Sequence, residues 1–285
     1  MIVWVGGALG IAALLALVLV AFLYIQGRRP PRGGAAYVAL GSSFAAGIGL
    51  GPRAEGAPLV CQRSTNGYPA QLARKLGLSF EDMTCSGATT RHVLTGGQVF
   101  LGPQIDAIGP GTRLVTITSG GNDVRYVGDL AFTAGTKGSS LLAWGMRRLW
   151  SGPLATRDFA GLHDTLLATL REIRRRAPRA RIVVVTYPMI LPPSGTCATL
   201  NLSAAEVTAM RAVGHQLAET TRDAAREAGA DLTDMEHIGV DHHACSGEPW
   251  VNGWNDAHGT QFHPTIAGAT AIADRIAALL KGPSQ

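Results

Sequence analysis

From Ile2 to Ile25 the chain carries no charged residue. Beyond Gly34 its apolar positions fall into short runs separated by amphipathic stretches. The runs near 35–40, 79–84, 113–118, 180–186 and 230–234 have strand length, and Arg181-Ile182-Val183-Val184-Val185-Thr186 reads as a buried strand. Between them the apolar positions recur with helical period. Leu162 to Arg176 is the plainest case, Ser203-Ala204-Ala205-Glu206 has the form of a capping box opening a helix to about Ala228, and an apolar helix runs from about Thr265 to Leu280. Strand and helix alternating five times predict an α/β fold with a doubly wound parallel sheet. One stretch breaks the alternation: over thirty residues separate Asn122 from the helix near Phe159, and the run Ser139 to Trp150 holds Leu141, Leu142, Trp144, Met146 and Leu149. Loops of that length in a compact domain are usually functional or mobile. The run reads either as a helix packed on the sheet or as a lid or acyl-chain wall.

The uncharged N-terminal segment exceeds the roughly 20 residues that span a bilayer as a helix. Arg28-Arg29-Pro30-Pro31-Arg32-Gly33-Gly34 follows it as a stop and linker. A cleaved signal peptide carries basic residues before its apolar core and small residues at a cleavage site after it. Neither is clear here, which favours an uncleaved anchor. The expected organisation is 1–26 as a transmembrane anchor or uncleaved signal, 27–34 as linker, and 35–285 as one sizeable α/β domain.

The same arginines change the reading of charge. The formal net charge is +5, but without Arg28, Arg29 and Arg32 the chain has 22 basic against 20 acidic residues, which is no nucleic-acid footprint. Arginines on the C-terminal flank favour that side staying cytoplasmic. Cys61, Cys85, Cys197 and Cys245 argue the opposite, being even in number and grouped in two regional pairs, as expected of disulfides in an oxidising compartment. The expectation drawn is a membrane-anchored protein with an extracytoplasmic domain.

Candidate chemistry sits where the strands end. Ala36-Tyr37-Val38-Ala39-Leu40 breaks at Gly41 into Ser42-Ser43 and small residues, placing Ser43 on a turn at the carboxyl edge of the sheet, where ligands collect in open α/β folds. An ordinary loop with a capping serine fits equally. GSSFAAG also suggests an anion or nucleotide cradle in a flavodoxin-like binding module, but no Lys completes a GxxxxGK[ST] loop, and neither GxGxxG nor the GxSxG elbow is present. In Thr84-Cys85-Ser86-Gly87-Ala88, Gly87 allows close backbone approach, so that its N–H can face a developing oxyanion; a plain turn glycine is the alternative. Arg113 to Thr118 runs into Ser119-Gly120-Gly121-Asn122-Asp123, where Asn122 either satisfies a turn or donates a side-chain N–H to that oxyanion. Among eight histidines, His92, His163, His215 and His237 read as solvated or packed. His242, His243 and His258 near Asp241, Cys245 and Asp256 fit no zinc spacing, so no metal or cofactor is expected. His263 precedes Pro264 at a helix entrance, free to turn into a cleft.

In that order the four segments resemble the blocks of the SGNH, or GDSL-like, hydrolase family. The resemblance implies a three-layer, flavodoxin-like α/β sheet, and it makes Ser43 the nucleophile, His263 the general base, and Ser43 N–H, Gly87 and Asn122 the oxyanion hole. It also suggests Cys61–Cys85 and Cys197–Cys245 as the disulfides. Two departures stand out. Ser42 occupies the place of the usual Asp in Gly-Asp-Ser, which makes it a minor rival nucleophile. Thr260 stands where the family has Asp three residues before the histidine, so the imidazole must be oriented by a backbone carbonyl at that place, giving a Ser-His dyad, or by Asp256 from the preceding loop. The expected activity is hydrolysis of small-molecule or lipid carboxylic esters through an acyl-enzyme. Glycan O-deacetylation and thioester cleavage use the same site.

Overall fold

The computed structural model describes residues 2–137, 156–256 and 259–282, with side chains from Ala12 onward. Its centre is one five-stranded sheet: β1 (Tyr37–Gly41), β2 (Phe80–Asp82), β3 (Leu114–Thr118), β4 (Arg181–Val185) and β5 (Asp231–Thr233), all parallel, in the order β2-β1-β3-β4-β5. The five expected strands are these five. Alternation along them explains the layers. Val38, Leu40, Val115, Ile117, Ile182 and Val184 face one cluster with Leu166, Leu170 and Ile173 of the helix Phe159–Arg176. Tyr37, Ala39, Leu114, Val183 and Val185 face the opposite cluster with Leu72 of the helix Tyr68–Leu76 and Ile272 and Ile276 of the helix Ile266–Leu279. Both faces are covered, which is why the strands read as continuous apolar runs.

The strand order reverses between β1 and β3, and the two pair from Tyr37↔Leu114 to Gly41↔Thr118. Ligands gather at such a switch point, outside the carboxyl ends of the strands. Gly41 (φ +132°) ends β1 so close to its neighbour that an added Cβ would lie 2.2 Å from Thr118 O. Buried Gln104 closes the strand by accepting from Gly41 N–H at 2.8 Å and donating to Gly41 O at 3.0 Å.

The anchor expected from the sequence is not found. A helix spans Ile2–Gly27, but among the described residues no helix is long and apolar enough to cross a membrane. The run Ser139 to Trp150 lies outside the described residues. Both disulfides are present, Cys61–Cys85 and Cys197–Cys245, in the pairing the family resemblance suggests. Each closes a loop, of 24 and 48 residues. Reduction should therefore lower the unfolding free energy by about 2–4 kcal/mol per bridge. Urea denaturation with and without reductant measures this, and native protein with four titratable thiols would contradict it.

Candidate active site

Three strand ends and one loop converge on the site. After Gly41, Ser42 N–H donates to Thr118 O at 3.0 Å, and Ser43 begins a single helical turn, Ser43–Ala46. The loop entering the helix Ile266–Leu279 brings His263 to it: Ser43 Oγ and His263 Nε2 are 2.8 Å apart. His263 Nδ1 donates to Gln261 O at 2.8 Å, which leaves Nε2 as acceptor for the Ser43 hydroxyl. That loop is built on backbone contacts. Phe262 is buried in the left-handed region (φ +55°), and buried Asn252 donates through Nδ2 to Thr260 O and His263 O, both at 3.2 Å. Thr260 O thus holds the loop, and the carbonyl that meets the imidazole belongs to the next residue. Asp256 lies elsewhere, its carboxylate accepting from Gly253 N–H. Burial lowers the pKa of His263 from its ordinary 6.5, and the Gln261 carbonyl opposes that shift.

The other half of the site joins the second and third blocks. Asn122 Nδ2 donates to Ala88 O at 2.8 Å, one residue beyond Gly87, which is exposed with φ +80°. Asp123 accepts from Thr90 N–H at 3.0 Å and from Thr90 Oγ1 at 2.5 Å, tying the two blocks a second time. Burial raises the pKa of that carboxyl and the Thr90 hydrogen bonds oppose it. Ser42 turns away from His263: its Oγ lies 2.9 Å from Tyr187 Oη. That hydroxyl also accepts from Gly121 N–H at 3.1 Å. A Cβ on Gly121 would lie 2.8 Å from the Tyr187 ring carbon and hydroxyl, so the second glycine of GGND makes room for this tyrosine.

Ser43 and His263 are thus in contact, Gly87 and Asn122 are joined through Ala88, and Asp256 is hydrogen-bonded within its own loop. Gln104, Asn252 and Tyr187 had no signal in the sequence, since each meets partners that only the folded chain brings to it. Asp123 did have one, lying inside the Gly-Gly-Asn-Asp block. The histidine cluster near Cys245 has ordinary structural partners: Cys245 is in a disulfide, His242 pairs with Glu248 O and stacks on Trp250, and His243 Nδ1 accepts from Cys245 N–H. His258 lies outside the described residues. A cavity of about 1010 Å³ opens beside β2, between the linker Gln26 to Arg32 and residues such as Phe100 and Gln104, and neither Ser43 nor His263 lines it.

Serine, imidazole, glycine turn and asparagine thus stand at the carboxyl edge of a 2-1-3-4-5 parallel sheet. Residues 39–271 match the GDSL-like lipase/acylhydrolase family, and the chain belongs to that family as a carboxylic ester hydrolase. It is 34% identical to Lipase 2 of Streptomyces coelicolor over 252 residues, covering 84% of this chain and 83% of that one. The extracellular lipase of Streptomyces rimosus superposes with a TM-score of 0.69 at 30% identity, over 85% of this chain and 98% of that one. Phospholipase A1 of Streptomyces albidoflavus gives 0.70 at 28% identity, over 86% and 98%.

An imidazole acting as base must be neutral, so activity falls as pH drops through its pKa. Because burial depresses His263, the acidic limb of the kcat/KM profile should lie below pH 6.5. A limb midpoint above that value would contradict a depressed His263 imidazole governing the limb.

Proposed function

We propose that the chain cleaves lipid carboxylic esters through a Ser43 acyl-enzyme, with His263 as general base in a Ser-His dyad oriented by the Gln261 carbonyl. The observation that carries this reading is the relay from Ser43 Oγ through the imidazole to a backbone oxygen, both contacts at 2.8 Å. As Ser43 Oγ attacks the ester carbonyl, its proton passes to Nε2, and the imidazolium hands it to the leaving alcohol. Water attacks the acyl-enzyme by the same route in reverse. The Ser43 and Gly87 N–H groups with Asn122 Nδ2 receive the oxyanion. Asn122 has two amide protons, and the bond to Ala88 O uses one and aims the other. Such a donor is worth about 3 kcal/mol in the transition state.

The lipid character of the substrate rests on the relatives, a lipase and a phospholipase A1 by name. Two disulfides support an extracytoplasmic setting. Attachment to a membrane through the N-terminal segment has only the uncharged sequence from Ile2 to Ile25 behind it.

A panel of p-nitrophenyl esters of graded chain length tests the activity, and a fluorophosphonate should label Ser43. Ser43→Ala and His263→Ala should abolish turnover, whereas Ser42→Ala should keep most of it. Loss in Ser42→Ala with retention in Ser43→Ala would move the nucleophile by one residue. Since a carbonyl orients the imidazole, Asp256→Asn should retain at least about a tenth of kcat. A thousandfold fall with the fold intact, as when a triad acid is removed, would make Asp256 the orienting group.

A further inference from the structure

Gly87 belongs to a turn whose central peptide has two possible directions. In Cys85-Ser86-Gly87-Ala88, Ala88 N–H donates to Cys85 O at 3.0 Å, and the third residue, Gly87, has φ +80°, as a type II turn requires. Type I and type II turns differ in the direction of the central peptide, so a half-rotation of that one group interconverts them. The peptide is planar and trans, with C=O and N–H pointing opposite ways. Whatever fixes the Ser86 carbonyl therefore aims the Gly87 N–H.

The carbonyl is fixed by a side chain from outside the four family blocks. Gln98 Nε2 donates to Ser86 O at 2.7 Å. Ser86 N–H and Oγ are committed elsewhere, both donating to Cys61 O at 3.1 and 3.0 Å. The turn stands between the other two blocks, with Cys85 N–H on Gly41 O at 3.0 Å and Asn122 Nδ2 on Ala88 O at 2.8 Å. Among the described residues Gly87 N–H meets no acceptor. Gln98 itself is presented by a tight loop. Gly97 N–H donates to Leu101 O and Leu101 N–H to Gln98 O, each at 2.8 Å, and a Cβ on Gly96 would lie 2.7 Å from Gly102 C. Val99 and Phe100 take φ +44° and +67°, a region non-glycine residues rarely occupy and one that clusters at functional sites.

We propose that Gln98 is a positioning residue for ester hydrolysis: by holding Ser86 O it keeps the Ser86–Gly87 peptide in the orientation that turns the Gly87 N–H toward the oxyanion. This rests on the reading of Gly87 as an oxyanion donor. Without the bond the peptide flips in a fraction of molecules, and those molecules lack one donor.

One hydrogen bond biases a two-state equilibrium by about tenfold at most, so Gln98→Ala should lower kcat measurably and by up to about tenfold, with KM within about twofold. Gln98→Glu keeps the length but offers an acceptor in place of the N–H, attracting the flipped Gly87 N–H, and should lose at least as much. Affinity for an arylboronic acid, which forms a tetrahedral anion on the serine, should fall in step with kcat/KM. A readout independent of turnover is the Gly87 amide in 15N–1H spectra of glycine-labelled full-length protein, expected to shift or double in both variants. An unmoved Gly87 signal, or a Gln98→Glu enzyme with wild-type kcat, overturns the proposal. Turnover surviving Ser43→Ala would instead overturn the proposed function, while the Gly87 signal still reports on Gln98.

Discussion

The approach of β1 to β3 at Gly41 is the constraint on which the site depends. A side chain there would collide with Thr118 O, and only without one can Ser42 N–H continue the ladder onto that carbonyl. The serine turn and the Gly-Gly-Asn-Asp loop then leave adjacent strands at the same level. Gln104, bonded to both polar groups of Gly41, squares off the strand end without adding a charge. A wider spacing would separate Ser43 and Asn122 however well each loop were made.

Around that centre the polar side chains are held mainly by backbone atoms. The imidazole rests on Gln261 O, the loop beneath it on Asn252, Asn122 on Ala88 O, and Tyr187 on Gly121 N–H. Neutral partners suit a half-buried imidazole. Burial disfavours its charged form, and the lone opposing contribution from a carbonyl is weaker than a carboxylate would supply. The charged form of this imidazole is correspondingly less stabilised than beside a buried acid. Asp123 shows the complementary use of a carboxyl group, taking two bonds from Thr90 and fastening one loop to the next.

The strands and the long helices were legible because burial on two faces leaves unbroken apolar runs, and because Ser203-Ala204-Ala205-Glu206 announces its helix by its capping residues, a box the structure contains. Ser43, Gly87, Asn122 and His263 were legible as short motifs beside strand ends and a helix entrance. The carbonyl beside the imidazole was expected at Thr260, and the one hydrogen-bonded to it is that of Gln261, because the left-handed turn at Phe262 sets which oxygen meets the ring, and φ cannot be read from residue type there. Gln98, Gln104, Tyr187 and Asn252 stayed hidden for a related reason. Their partners, backbone groups and for Tyr187 also the Ser42 hydroxyl, stand at positions fixed only by the finished fold, so no local pattern marks them. The N-terminal segment is the reverse case, a plain pattern in the sequence for which no membrane-crossing helix is found among the described residues.

The bridge between Cys61 and Cys85 has a bearing beyond its effect on unfolding. Cys85 is the first residue of the turn that carries Gly87, and Ser86 leans with both N–H and hydroxyl on the carbonyl of Cys61. A covalent bond and two hydrogen bonds thus run between the same pair of short segments, so breaking the first slackens the ground on which the other two stand. The oxidation state of one cysteine pair and the placing of the Gly87 backbone therefore meet in a single turn of four residues.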